Sequence, residues 1–473
     1  MDFLSKLASA LPDTPILTGP DCAPWVTDWT GAWHGEPMAV IRPASTAEVS
    51  QIMAMAHAAN VPVVPAGGRT GLVGGAHAPD ALVVSLDRMN TIRQVTPRTR
   101  TAIVEAGVIL QSLRESAAEL GMQFPMTFGA QGSATIGGIL STNAGGSNVL
   151  KYGNTRDLCL GIEAVLPDGT VLDLMSELHK DNTGYALKHL LIGAEGTLGI
   201  ITAAVLKLSP TPRVRSTAFL ACPSLTDALT TLNRLQEATS DAVEAFEYMP
   251  AHYMTAYAEM HPQARQPFAD IHSVNILVEL ASTAPRDAAL SPEGTTVLQD
   301  TFESTLATLF EEGLLTDATI ATNDSQRAAF WAIRESAAEL SLAGPRAAIV
   351  NDIALPLDEI ASFLDRMNAL LPTLDADAFD MTVAHLGDGN IHYTVRPSDK
   401  ALKDTIMSAV EAEVRALGGS FSAEHGVGQS KLSSMTRHKN AAALDTMRAI
   451  KQAIDPTGIL NPGKVIPPAS SSL

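Results

Sequence analysis

Two histidines bracket a turn signal in His385-Leu-Gly-Asp-Gly-Asn-Ile-His392, and the residues around them alternate loosely from Val383 to Tyr393. Asp-Gly is a strong marker of a two-residue hairpin turn. With Asp388 and Gly389 as the turn, His385 pairs directly with His392 across the two strands. Directly paired side chains share a face, with Cβ atoms roughly 5 Å apart. Two imidazoles at that separation can bind one metal ion through ring nitrogens. The plainer reading is a histidine-flanked hairpin on the surface.

A second pattern could bind an anion. Val61 to Val64 reads as a short buried strand ended by Pro65, and Gly67, Gly68, Gly71, Gly74 and Gly75 follow within a few residues. A loop this rich in glycine can turn backbone N–H groups inward and admit a phosphate or pyrophosphate without Cβ interference. It lacks the Gly-Lys-Ser/Thr of a P-loop and the G-x-G-x-x-G of a dinucleotide fingerprint. Taken alone, it could equally be a tight change of direction. Further glycine clusters follow at 129–146 and 193–199. More than half of the 34 glycines lie between Gly67 and Gly199, which suggests backbone held close to a long ligand at several points.

The elements that must position these residues follow in order. Phe3 to Ala10 reads as a helix and Met38 to Ile41 as a strand. Ser45 and Glu48 form a capping box for a helix with apolar Val49, Ile52, Met53 and Ala56, ended by Asn60. Strand, helix, strand and glycine loop make a βαβ-like entry that puts the loop at a strand's C-terminal end. Strands are expected at 81–86 and 101–108, and a helix at 109–120. Pro210-Thr-Pro-Arg marks a boundary. Beyond it glycine thins and Ala/Leu-rich helices appear at 225–237 and 301–312, with a strand at 273–279. Helices return at 431–454, and residues 467–473 are low in complexity.

The chain has 473 residues, 46% hydrophobic and 18% charged, enough for more than one sizeable core. A formal net charge of -19 opposes non-specific binding to nucleic acid or anionic membrane. Cys22, Cys159 and Cys222 are odd in number and far apart, which fits neither a disulfide framework nor a cysteine metal site. No apolar run approaches a membrane span, and the first residues lack a basic region followed by a long apolar stretch. The expectation is a cytoplasmic location, with peripheral membrane contact left open.

Taken together, the glycine loop, Gly132-Ser-Ala-Thr-Ile-Gly-Gly, Asn143-Ala-Gly-Gly, Gly193-Ala-Glu-Gly-Thr-Leu-Gly-Ile-Ile-Thr, His385 to His392, Glu424-His-Gly-Val-Gly and Asn461-Pro-Gly-Lys stand in a family order. From about residue 35 to 465 the chain resembles the FAD flavoenzymes of the vanillyl-alcohol-oxidase / p-cresol-methylhydroxylase type. Within them it is similar to the D-lactate and D-2-hydroxyglutarate dehydrogenase branch, which includes glycolate oxidase subunits. The resemblance implies an α+β fold: a two-part FAD-binding domain, an α+β substrate cap and a helical C-terminal segment returning to the FAD domain. The expected bounds are 1–34 for a lead-in, 35–213 for the FAD domain, 214–430 for the cap and 431–473 for the tail.

The resemblance assigns FAD contacts to Pro65, Ala66, Gly67, Gly68, Arg69, Thr70, Gly71, Gly74, Gly129, Ser133, Ile136, Gly137, Gly138, Asn143, Gly145, Glu195, Ile200 and Asn461. Many relatives attach flavin through a histidine in the first loop. Arg69 stands there, so FAD is expected to bind non-covalently. Glu424 joins His385 and His392 as metal ligands, a set suited to catalytic Zn2+, although Mn2+, Fe2+ or Co2+ could bind. Arg334 matches the arginine that grips the substrate α-carboxylate, and a planar fork suits that task; the bland alternative is a solvated helix arginine. His425 is expected to take the hydroxyl proton, with Asn390 and Thr394 also contacting substrate. His425 can share a site with Glu424 only if Gly426 and Gly428 turn the chain.

The implied reaction is oxidation of a D-2-hydroxy acid to the 2-oxo acid, with electrons passing to a quinone, electron-transfer flavoprotein or cytochrome. The chain departs from relatives that use 2-hydroxyglutarate at Ala338, Val350 and Thr394, where they carry threonine, lysine and asparagine. D-lactate or another less polar acid is therefore at least as good a candidate. The alternative is a catalytically weak FAD-binding subunit of a glycolate-oxidase-like complex. A homodimer is a family-level expectation.

Overall fold

The computed structural model describes residues 2–292 and 294–468, so most of the low-complexity end at 467–473 lies outside the described residues. The chain divides into two compact units. One comprises Met1–Gly145, Gly153–Pro210 and His425–Leu473, and the other Gly146–Tyr152 and Thr211–Glu424. The three cysteines are buried and free. Among the described residues no helix is long and apolar enough to cross a membrane.

The first unit opens with strands β1 (Ile16–Leu17), β2 (Ala39–Ile41), β3 (Val63–Ala66) and β4 (Leu82–Ser85), in the order β1-β2-β4-β3. β2, β4 and β3 run parallel. The helix Thr46–Ala59 connects β2 to β3. Its N-terminus is capped by Ser45 Oγ accepting from the N–H of Glu48 at 3.2 Å. Asn60 closes it in the left-handed region at φ 53°, and Val49, Ile52, Met53 and Ala56 are fully buried. The expected βαβ entry is present, but β3 starts two residues later than read. The N–H of Val61 is spent on Ala56 O as the chain leaves the helix. Pro65 lies inside β3 instead of ending it. It is tolerated because β3 is an edge of its sheet. Ile459 and Asn461, from the last segment, bond across Val63 at 2.8 and 2.7 Å.

Among the described residues this unit has seven further strands: β5 (Ile92–Thr96), β6 (Thr101–Glu105), β7 (Met122–Gln123), β8 (Cys159–Val165), β9 (Val171–Leu174), β10 (Ile200–Lys207) and β11 (Ser209–Pro210). The antiparallel sheet β5-β6-β10-β8-β9 forms its second layer, and β11 pairs with β7.

The second unit is built on one antiparallel sheet of seven strands. These are β12 (Val214–Cys222), β13 (Val243–Pro250), β14 (Val274–Ser282), β15 (Asp317–Ile320), β16 (Ile349–Ala354), β17 (Phe379–His385) and β18 (Asn390–Arg396), in the order β15-β12-β14-β13-β17-β18-β16. Strand side chains alternate between faces. Ala218, Phe246, Ile276, Val278, Ala384 and Tyr393 face one layer of helices, including Val297–Glu311 and Ile360–Leu374. Phe219, Leu277 and Val383 face the other, with Tyr253, Phe330 and Ile333. Where the sheet is buried on both sides, little water reaches a polar side chain. A charged residue at one of these buried positions must therefore find a partner.

Candidate functional site

In the first unit β3 delivers the glycine loop at its C-terminal end. The N–H of Gly68 donates to Thr135 Oγ1 at 3.3 Å. A Cβ on Gly68 would lie 2.0 Å from Ser133 O, and one on Gly67 2.4 Å from Thr135 Oγ1. The two glycine-rich segments therefore meet backbone against backbone, and no other residue type fits at Gly68. Gly137 also packs closely, its missing Cβ 2.7 Å from that of Ala106, as the helix Ile136–Thr142 begins. Pro65 and Ala66 lead into this junction, and Ser133 and Gly138 lie on its far side.

Arg69 adopts φ 54° and folds away, its guanidinium over the Trp25 ring and donating to Pro24 O. Among the described residues, the N–H groups of Arg69, Thr70 and Gly71 have no protein acceptor. The sides of Gly71 and Gly129 where a Cβ would stand are open. Free donors beside open glycines suit an anionic cofactor. Gly74 is pinned at φ 70° under Trp33.

Asn143 ends its helix at φ 50°, its side chain accepting from the N–H of Arg156 at 2.9 Å, and Gly145 follows. Ile200 is buried at the start of β10. Asn461 donates to Gly75 O at 3.1 Å and Glu195 O at 2.8 Å, drawing three distant segments together. Its own Oδ1 is buried without a partner among the described residues. The Glu195 carboxylate accepts the N–H groups of Val427 and Gly428 at 2.7 and 2.8 Å. Burial raises its pKa, while those two N–H groups oppose the rise. Its side chain thus holds backbone of the chain itself. His425 opens the segment that carries this turn, and Gly426 and Gly428 adopt φ 80° and 49°, the turning geometry the sequence called for.

The second unit gathers the polar residues of the other pattern. The hairpin β17–β18 forms, but with a different register. His385 pairs with Asn390 and Val383 with His392. The turn is four residues, 386–389, in place of the expected two, with Gly389 at φ 85° and its missing Cβ 2.3 Å from Leu355 O. The two histidines are therefore diagonal neighbours on one face, not a direct pair. Their rings still lie 5.3 Å apart, edge to face. Nitrogens of His385 and His392 and a carboxylate oxygen of Glu424 all fall within 4.8 Å of one another.

Two buried carboxylates that the sequence reading missed orient these imidazoles. Glu247 on β13 sits directly across from His385, and Asp352 on β16 directly across from His392. Glu247 Oε1 lies 2.8 Å from His385 Nδ1, and its Oε2 accepts from Arg334 Nε at 2.7 Å. Asp352 Oδ1 is 3.7 Å from His392 Nδ1. It also accepts from Asn390 Nδ2 at 2.9 Å, while its Oδ2 accepts the N–H of Glu424 at 2.9 Å. One faint signal exists for each: Glu247 interrupts an apolar strand, and Asp352 opens Asp352-Ile-Ala-Leu-Pro356. Neither spacing alone says what it faces.

Arg334 closes the helix Asp324–Glu335, buried, with Nη2 3.4 Å from His385 Nε2. It is not a solvated helix arginine. Thr394 is buried two residues beyond His392 on β18. Asn390 Oδ1 is buried with no partner among the described residues.

Burial disfavours charge on His385, but the Glu247 carboxylate outweighs it and lifts the pKa to about 9. Burial pushes the Glu424 carboxyl up to about 7 and that of Asp388 up to about 6, each only partly relieved by His385. Four carboxylates, those of Glu247, Asp352, Asp388 and Glu424, thus crowd Arg334 and two imidazoles. This donor set and its surplus of negative charge fit a divalent cation.

Residues 37–175 match the family described as FAD binding domain, and residues 211–465 that described as FAD linked oxidases, C-terminal domain. The chain is 36% identical to a D-2-hydroxyglutarate dehydrogenase of Xanthomonas citri pv. viticola, over 97% of this chain and 96% of that protein. It is 34% identical to the mitochondrial D-2-hydroxyglutarate dehydrogenase of Bos taurus, over 98% and 84%. Among solved structures, p-cresol methylhydroxylase with substrate bound superposes with a TM-score of 0.72 at 16% identity, covering 98% of this chain and 96% of that one. Alkyldihydroxyacetonephosphate synthase gives 0.71 at 19% identity, covering 97% and 84%. The two-domain flavoprotein fold expected from the sequence is the one observed.

Proposed function

The chain belongs to the FAD-linked oxidase family, and from that premise we propose that it oxidises a D-2-hydroxy acid to the 2-oxo acid with the help of a divalent metal. The observation that carries this reading is the cluster of His385, His392 and Glu424 beside Arg334 on one face of the cap sheet. A cation held by His385, His392 and Glu424, with Zn2+ the expected ion, supplies Lewis acidity toward the substrate hydroxyl. FAD, bound non-covalently in the loop that carries Arg69, supplies the acceptor for the α-hydride.

The chain's own residues do the rest. Glu247 occupies Arg334 Nε, so the substrate α-carboxylate engages the terminal Nη groups. Glu247 also holds His385 Nδ1, which commits Nε2 to the metal side. His425 accepts the hydroxyl proton, a general-base role that an imidazole can fill. Electrons then leave for an acceptor other than nicotinamide, of the quinone, electron-transfer flavoprotein or cytochrome class.

The relatives' names point to 2-hydroxyglutarate, whose far carboxylate needs a cation. The cap face beyond His392 and Asp352 carries Val350, 47% exposed, and Thr394. The nearby arginines are engaged elsewhere. Arg396 donates to the carbonyls of Ser341 and Arg346 at 2.7 Å, and Arg346 to Asp377 O at 2.5 Å. This favours a short uncharged chain, as in D-lactate, as the second reading.

The test is anaerobic bleaching of the bound flavin by D-lactate, longer D-2-hydroxy acids, D-malate and D-2-hydroxyglutarate, with and without chelator. Bleaching that a chelator abolishes supports the proposal, and the preferred donor chooses between the substrates. A flavin that stays oxidised across the panel refutes it.

A further inference from the structure

We infer that Glu195 is a positioning residue for the turn that presents His425, acting through the N–H groups of Val427 and Gly428. This rests on the reading of His425 as the proton acceptor.

Glu195 is itself held at both ends. Its N–H donates to Ser141 O at 2.8 Å, its carbonyl accepts from Asn461 Nδ2 at 2.8 Å, and its backbone sits at φ 51°. From this fixed base both carboxylate oxygens reach the turn, at 2.7 Å to the N–H of Val427 and 2.8 Å to that of Gly428. The fit leaves no slack. A Cβ on Gly426 would lie 2.7 Å from Glu195 Oε1, and one on Gly428 2.2 Å from Val73 O. Val73 O also accepts the N–H of Gln429 at 2.8 Å. The turn after His425 is thus clamped between Glu195 on one side and Val73 on the other.

The chemistry requires a carboxylate. An ionised glutamate offers acceptors at both oxygens, whereas glutamine must aim an NH2 at one of the two N–H groups. Keeping a carboxylate here is costly, because it is only 9% exposed. A buried charge spent on two backbone donors beside a proposed proton acceptor is explained by the need to place that acceptor accurately. An ångström-scale misplacement of such a group costs up to about 10²-fold in rate.

The experiment uses the flavin- and metal-loaded enzyme with its best donor, and compares Glu195→Gln in the parent and in a His425→Ala background. In the parent background we expect flavin reduction to slow by about 10- to 100-fold. KM, flavin content and flavin spectrum should stay unchanged, so that the loss falls on kcat. In the His425→Ala background the same substitution should change the rate by less than about twofold, since two residues acting as one unit are not additive. Equal losses in both backgrounds, or a parent-like rate in Glu195→Gln, would overturn the inference. Should Glu195→Gln fail to fold, Glu195→Asp keeps the charge, withdraws it by one methylene, and is read against the same outcomes. A His425→Ala enzyme with full turnover refutes the role of His425 itself, a separate and recognisable failure.

Discussion

Replacing Glu247 with glutamine should separate two jobs performed by one carboxylate. Glu247 is 1% exposed and joins two partners, His385 Nδ1 at 2.8 Å and Arg334 Nε at 2.7 Å. Toward His385 it acts as an orienting group behind a metal ligand. Losing such a group costs about 10- to 100-fold in metal affinity, or about 1.4–2.8 kcal/mol. Toward Arg334 it is half of a buried ion pair. Removing it strands a guanidinium that is 8% exposed, at a cost of about 3–5 kcal/mol of stability. The second effect is the larger, so Glu247→Gln should first be noticed as a lower melting temperature. Adding Arg334→Met removes the stranded charge and should restore most of the stability while leaving metal affinity low. The assay is Zn2+ titration of chelator-stripped protein against a competing chelator, run beside thermal unfolding of the parent, the single variant and the double variant. If Glu247→Gln binds Zn2+ as tightly as the parent, the orienting role is wrong. If affinity returns with stability in the double variant, the loss was general loosening and the argument fails in the same way.

Gly68→Ala should lower FAD affinity, because its Cβ would stand 2.0 Å from a backbone oxygen; an overpacking cost of about 1–3 kcal/mol corresponds to about 5- to 150-fold, read as flavin retained per protein. Burial drives the Lys464 ammonium down to about 8, although Glu195 opposes the shift. A lysine depressed in the folded state penalises folding at neutral pH. That penalty fades as pH rises from about 8 through the unfolded value near 10.4, so stability should gain up to about 3 kcal/mol across that window. Lys464→Met should flatten this rise in unfolding free energy against pH, and an unchanged slope would discount the buried charge. Phe363→Ala removes a fully buried ring from the core of the cap sheet and should cost about 3–5 kcal/mol, measured by urea unfolding of the stripped protein.

The first helix, the capping box at Ser45 and the hairpin at His385 could be read because each is encoded by neighbours in the chain. The hairpin register could not. The Asp-Gly signal asks for a two-residue turn, whereas the observed turn has four residues, with Gly389 packed closely on Leu355 O from another part of the chain. That shifts the pairing by two, which preserves the face, so His385 and His392 still share one side of the hairpin despite the incorrect register. Glu247 and Asp352 were missed for a related reason. Each meets its histidine only because an antiparallel ladder joins strands remote in sequence, and that ladder order is set by the whole sheet. Glu195 was legible as a member of a glycine motif. Its attachment to Val427 and Gly428, which lie far along the chain, was not.

The edge at Val63 has a consequence for synthesis. Its partners Ile459 and Asn461 are made about 400 residues after it. At about 5–20 residues per second, the strand waits roughly 20–80 s for them. Throughout that interval a nascent chain exposes an uncovered strand rim, the feature most prone to pair with a stranger. Translation therefore finishes the whole cap before it supplies the piece that seals the unit begun first.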